Sequence, residues 1–214
     1  MVVVEQFSMS TVPDRRRMSL AEYLSWEERS GGKHEFYRGE VFAMAGASTR
    51  HNRIAGNIFA RLHQLLENRP CEPFGSDQRI RINAVDLSTY PDVSVICGGV
   101  KVDAVDRHGV TNPRVIVEVL SKSTENYDRG RKFEFYQHLE SFAEYVVVYQ
   151  DEPKIIHYVR QDDRSWTYKL LVGDQEQLRL QSIDCNLPFT AIYRNVEFGP
   201  ETESDAEPPR PPVL

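Results

Sequence analysis

The sequence predicts a mixed α/β domain of the α+β kind, a β-sheet with helices packed on it, and three observations point there. The run Arg114-Val-Ile-Val-Glu-Val-Leu120 is β-branched and apolar enough for an interior strand, bounded by Asn112-Pro113 and Ser121. Tyr145 to Leu180 alternates in short runs separated by turn residues, a meander. Two stretches, Thr49 to Asn68 and Tyr127 to Phe142, carry apolar residues at helical spacing. A length of 214 residues with 40% hydrophobic content suits one domain with a sizeable core and requires no second.

Taken in order, residues 1–18 read as a flexible arm ending in Arg15-Arg-Arg17, and 19–198 as the domain. Ser19 with Glu22 three residues on forms a capping box for a first helix to about Glu28, ended by Ser30-Gly-Gly32. Glu35 to Met44 follows as a hairpin around Arg38-Gly39, with Phe36, Val41 and Phe42 as core candidates. The helix Thr49 to Asn68 sets Ile54, Ile58, Leu62 and Leu65 on one side and Arg50, Arg53, Asn57 and Arg61 on another, a stripe that could neutralise phosphates or simply be a solvated face. Its N-terminus, after Ala45-Gly-Ala-Ser-Thr49, is a natural anion site, with His51 at the start to contact substrate.

Phe74 to Ile82 and Asp92 to Cys97 then supply strands, with a polar turn across Asn83 to Thr89. A loop from Gly98 to Asn112 precedes the apolar strand, and the meander strands are Tyr145–Gln150, Lys154–Arg160, Ser165–Leu171 and Gln177–Leu180. From Gly199 the composition turns to Pro, Glu, Ser and Asp, a disordered acidic tail over 199–214. Its four acids and one arginine carry a net −3, half of the chain's −6, so the body is only weakly acidic. A dedicated duplex binder would usually be more basic.

Chemistry concentrates between Tyr90 and Lys132. Glu118 sits inside the apolar strand, where an ionised carboxylate costs several kcal/mol without a cation or donors. Asp92 opens its strand directly after Pro91. Antiparallel pairing of these strands would bring Asp92 and Glu118 to one rim of the sheet, and a hard divalent cation is the usual remedy for such repulsion. Lys132 lies in phase with Phe135, Tyr136 and Leu139, on the buried stripe of the next helix, and so points toward the sheet.

Pro91-Asp92, then 25 residues, Glu118-Val-Leu120, then 11 residues and Lys132, resembles the Uma2 family of the PD-(D/E)XK, or restriction-endonuclease-like, superfamily. The likeness runs from about Ser19 to Val196 and includes Glu35-Phe-Tyr-Arg-Gly-Glu40, Arg50-His51, Glu118-Val-Leu-Ser121, the start of the helix at Asp128 to Tyr136 and Glu144-Tyr-Val-Val-Val148. The resemblance implies a restriction-endonuclease-like fold, a central mixed β-sheet flanked by helices with additional antiparallel strands. It implies Mg²⁺ or Mn²⁺ held by Asp92, Glu118 and the Val119 carbonyl, with Glu35 as a further ligand, and a nuclease acting on nucleic acid, DNA ahead of RNA, as a homodimer. The superfamily lysine would stand at Leu120, which is apolar here; the resemblance implies that the lysine has moved to the helix, as Lys132, with Lys122 as the rival. Arg50, His51, Arg53 and Arg61 are the candidate nucleic-acid contacts. An inert binding or assembly protein on the same scaffold is the alternative.

Cys71, Cys97 and Cys185 are odd in number, far apart and in no paired motif, which argues for a reducing cytoplasm, with Cys71 and Cys97 as small packed residues. No run approaches a membrane span or a signal peptide. The chain carries no Gly-x-Ser-x-Gly elbow, His-Glu-x-x-His, zinc-spaced Cys and His set or dinucleotide glycine fingerprint, which excludes those chemistries.

Overall fold

The computed structural model describes residues 17–44, 46–121, 125 and 127–199. Helix α1, Leu20–Ser30, starts at the expected capping box: Ser19 Oγ accepts from Glu22 N–H while the Glu22 carboxylate accepts from Ser19 N–H. Gly31, at φ +71°, ends it in the left-handed conformation that glycine adopts without a Cβ penalty. Strands β1 (His34–Tyr37) and β2 (Glu40–Ala43) form the expected hairpin, with both turn residues, Arg38 and Gly39, at positive φ. Phe36 is buried, whereas Val41 and Phe42 are only half-buried.

The 18-residue helix α2, Thr49–Leu66, buries Ile54, Ile58, Leu62 and Leu66. Beyond it the single strand expected over Phe74 to Ile82 is two. Strand β3, Cys71–Gly75, belongs to one sheet and β4, Arg79–Ile82, to another, so the chain changes sheets through Ser76, Asp77 and Gln78. The polar turn expected at Asn83 to Thr89 holds a 3₁₀ turn, Asn83–Val85, and a buried strand β5, Leu87–Thr89. Its serine and threonine had masked a strand whose neighbours bury it on both sides.

Strand β6, Val93–Cys97, precedes the loop that carries the two-residue strand β7, Gly109–Val110, and then β8, Pro113–Leu120. A π-helix, Tyr127–Lys132, and one turn of α-helix, α3, Phe133–Tyr136, replace the long helix expected over Tyr127 to Phe142. Strands β9 (Glu144–Tyr149), β10 (Lys154–Arg160), β11 (Trp166–Val172) and β12 (Gln177–Leu180) make the meander. Strand β13, Cys185–Pro188, and the short helix α4, Phe189–Ile192, close the described chain and were not anticipated.

The central six-stranded sheet has the order β11-β10-β9-β8-β6-β3 and is mixed, because β8 and β9 run parallel while the other pairs are antiparallel. Alternation sends Val93, Val95, Val115, Val117, Val146 and Val148 to one face, against α2, α4 and the β12–β13 pair. Ile96, Ile116, Leu120, Tyr145 and Val147 go to the other, against α3 and residues of the five-stranded sheet β2-β1-β5-β4-β7. This is the mixed sheet with flanking helices that the sequence predicts.

The cysteines differ from expectation as well. Cys71 and Cys97 are directly opposed on β3 and β6 and form a disulfide across 26 residues of sequence. Sequence distance hid a cross-strand pair, and the argument from cysteines for a reducing compartment falls with it. Cys185 is free and buried. Among the described residues no helix is long and apolar enough to cross a membrane. Apart from Arg17, Met18 and Gly199, the expected arm and tail lie outside the described residues, as does Lys122.

Candidate active site

The β6–β8 ladder pairs Val93 with Val117 and Ser94 with Ile116, which sets Asp92 across from Glu118 at the sheet rim. The Asp92 carboxylate oxygen Oδ2 accepts the Val119 N–H at 2.7 Å, so the carboxylate that opens one strand holds the end of the next. His51, in the first turn of α2, places Nε2 3.2 Å from the same oxygen. Burial by itself raises the Asp92 pKa, but the His51 ring and the Val119 N–H outweigh it and hold the group below the usual carboxylate range.

Glu118 lies in the ladder with Val117 and Val119 on either side, and two side chains from the next segment reach it. Lys132 Nζ stands 2.8 Å from Glu118 Oε1, and the fully buried Tyr136 hydroxyl donates to the same oxygen at 3.0 Å. Lys132 is also 3.5 Å from Asp128 and 3.7 Å from Glu35. One ammonium therefore faces three carboxylates. Burial, opposed by Lys132 and reinforced by Asp128 and Asp92, raises the Glu118 carboxyl well above its ordinary range. Burial works the other way on Lys132, yet the surrounding acids, Glu118 first, raise its pKa and keep it protonated.

The π-helix explains the last two positions. Both Asp128 and Lys132 are buried in it. Leu120 is buried in the core facing α3, and the ammonium beside Glu118 is that of Lys132. Glu35, on β1, accepts a short hydrogen bond from Thr89 Oγ1.

Glu35, His51, Asp92, Glu118, Asp128 and Lys132 line one cavity of about 410 Å³, with Tyr37, Phe42, Met44, Tyr90 and Tyr127 as its larger uncharged side chains. Among the described residues no set of three or more His, Cys, Asp or Glu is arranged as a metal cage. Magnesium does not need one, since it is commonly held by one or two carboxylates together with water and substrate phosphate. Among the described residues neither Glu118 Oε2 nor Asp92 Oδ1 has a hydrogen-bond partner, because the contacts above fall on Oε1 and Oδ2. Two carboxylates with an oxygen each to spare, in a cavity with more acids than bases, suit a hard divalent cation.

The structure thus brings together Asp92, Glu118, Val119, Lys132 and Glu35, and adds His51 as a partner of Asp92. The rest of the basic stripe on α2 is engaged with the protein. Arg50 is buried against Asp151 at 3.1 Å, Arg53 donates to the Asn195 carbonyl at 2.7 Å, and Arg61 to Gln64 at 3.4 Å. At the helix N-terminus Ser48 Oγ accepts the His51 N–H, the place an anion would take. Sequence reasoning did not assign Asp128 or Tyr136 to the site. Both stand four residues from Lys132, one on each side, and that spacing was the available signal.

The model of the Uma2 family, described as "Putative restriction endonuclease", matches residues 20–190. Two uncharacterized proteins of Synechocystis sp., slr1290 and sll1609, are 37% and 36% identical over 187 and 170 residues. The alignments cover 85% and 79% of this chain and 94% and 96% of those proteins. Among solved structures, a protein of Anabaena variabilis described as a putative nuclease belonging to DUF820 superposes with a TM-score of 0.64 at 14% identity, covering 79% of this chain and 96% of that one. That likeness shows a shared fold. With the family model spanning the sheet, α2 and the acidic cavity alike, the chain belongs to the Uma2 family.

Proposed function

We propose that this protein is a metal-dependent nuclease that hydrolyses phosphodiester bonds of nucleic acid, DNA ahead of RNA. The observation that carries the reading is the excess of acid: Glu35, Asp92, Glu118 and Asp128 line one cavity with Lys132 and His51 as the basic groups among its described residues. Like charges this close are unfavourable unless a cation compensates them. The preference for DNA rests on the family's description as restriction endonucleases.

Asp92 and Glu118 would hold Mg²⁺ or Mn²⁺, with the Val119 carbonyl and Glu35 as additional donors. When bound, such an ion acts as a Lewis acid toward phosphoryl oxygen and lowers the pKa of its water. Lys132, kept protonated by its carboxylates, orients the attacking water and offsets negative charge developing on the phosphate; it donates hydrogen bonds rather than removing a proton. Tyr136 fixes Glu118 through Oε1 and leaves Oε2 for the ion. His51 and the Val119 N–H fix Asp92 in the same way.

A second reading has one observation in its favour. The 2.8 Å contact between Lys132 and Glu118 is also that of a closed ion pair, which would suit an inert binding scaffold. Incubating the purified protein with DNA and RNA in Mg²⁺, Mn²⁺ or EDTA separates the two. Cutting that requires metal and is lost in Lys132→Ala supports the nuclease; a folded wild type that neither cuts nor binds divalent ions refutes it.

A further inference from the structure

The hairpin β1–β2 forms one wall of the cavity. Glu35 pairs with Phe42 in its register, and Glu35, Tyr37 and Phe42 share the hairpin face that lines the cavity. Tyr37 also reaches outward. The exposed guanidinium groups of Arg38 and Arg131 lie 5.3 and 5.4 Å from its ring centre, and Arg131 is 3.5 Å from its hydroxyl. Among the described residues neither arginine has a carboxylate within ion-pair distance, unlike Arg50, Arg107 and Arg129, which do. The Tyr37 ring, packed on Phe135 at 5.1 Å, thus stands beside an acidic cavity together with two guanidiniums that lack carboxylate partners, which combines an aromatic contact with phosphate contacts.

Size decides what can use it. A cavity of about 410 Å³ lies toward the small end of those that hold one drug-sized ligand, about 300–1,000 Å³. Glu118, Asp128 and Lys132 lie in it with side chains only 4 to 6% exposed. The backbone of an intact duplex presents its phosphates on a broad convex surface, whereas an unpaired strand can send a single nucleotide into a pocket.

Resting on the nuclease reading for why phosphate should enter, we infer that the substrate is an unpaired strand. One nucleotide enters the cavity against Tyr37, Phe42 and Tyr127, and the phosphates beside it are met by Arg38 and Arg131. Base recognition then comes from stacking, which tolerates any sequence.

Fluorescence anisotropy with a labelled DNA strand and its blunt duplex, in Ca²⁺ and in EDTA, tests this apart from cleavage. The single strand should bind about tenfold more tightly than the duplex, and Tyr37→Leu, which keeps an apolar side chain but loses the ring, should remove most of that preference. The double variant Arg38→Gln, Arg131→Gln should flatten the salt dependence of single-strand binding by about 1.4 in log–log slope, two contacts at about 0.7 each. A duplex bound as tightly as the strand, or variants that bind like the wild type while keeping its melting temperature, would overturn the inference. Preferential strand binding without cutting in Mn²⁺ would sink the nuclease reading and leave this one standing; equal cutting of both forms would do the reverse.

Discussion

Two buried glutamates stand on neighbouring parallel strands and are treated in opposite ways. Glu118 is near the end of β8, on the sheet face that meets α3; Glu144 is at the start of β9, on the face that meets α2. Glu144 is wholly buried and fully served: His157 Nε2 lies 2.6 Å from Oε2, and the N–H groups of Gln181 and Ser182 both donate to its carboxylate. Burial would raise its pKa, but these donors outweigh burial and lower it. Glu118 shares a single ammonium with other acids, opens onto a cavity and is shifted upward. Burial of a carboxylate therefore does not mark a site. Several acids gathered beside an opening do, whereas Glu144 serves to tie the 3₁₀ turn Gln181–Ile183 to the sheet.

That contrast can be broken from either side. Glu144→Ala leaves buried hydrogen-bond donors unmet, each at about 1–3 kcal/mol, so it should destabilise the fold in urea by at least that order while cleavage per folded molecule is unchanged. The pH dependence follows the same direction. A carboxyl depressed in the folded state contributes stability that is complete above its ordinary pKa of 4.5 and is lost as pH falls through the lower folded value. Wild type should accordingly lose more stability in that acid range than Glu144→Gln, as measured by urea titrations at a series of pH values.

On the other side, Lys132→Ala should lower the cleavage rate by about 10²–10³ or more while divalent binding persists; Glu118→Ala should lose both in the same assay and in titration calorimetry. Divalent ions should raise the melting temperature of the wild type, by about 2.7 kcal/mol of stability at a hundredfold excess over Kd, and leave that of Asp92→Ala unmoved. The smallest effect falls on the basic stripe of α2. Because Arg53 is spent on the Asn195 carbonyl, Arg53→Ala should change nucleic-acid affinity less than the paired Arg38 and Arg131 substitutions, a difference readable by anisotropy.

The gathering of Asp92, Glu118 and Lys132 in one candidate site was legible because local rules bore directly on it. Proline before Asp92 fixed a strand start, antiparallel pairing put Asp92 and Glu118 at one rim, and helical phase turned Lys132 inward. The capping box of α1 and the turn at Arg38-Gly39 were legible for the same reason. What failed depended on partners distant in sequence. The change of sheet at Ser76 to Gln78, the strand β5 and the Cys71–Cys97 pair follow from register between segments, which no local pattern encodes. Arg53 and Asn57 looked like a free polar face because residues 192–195, whose carbonyls they meet, lie more than a hundred positions on. The π-helix was read as α-helix, since apolar spacing over one turn does not separate the two.

Glu118 and Glu144 measured together test most directly whether this cavity is an active site. Cleavage per folded molecule in Mn²⁺ and the melting temperature should be taken for wild type, Glu118→Gln and Glu144→Gln. Glu118→Gln should be inactive while still folding, since glutamine keeps the shape and an acceptor for Lys132 and Tyr136; Glu144→Gln should melt lower and still cut. A Glu118→Gln protein that cuts like the wild type, or one that loses activity only because it no longer folds, would contradict the assignment of this cavity as the active site.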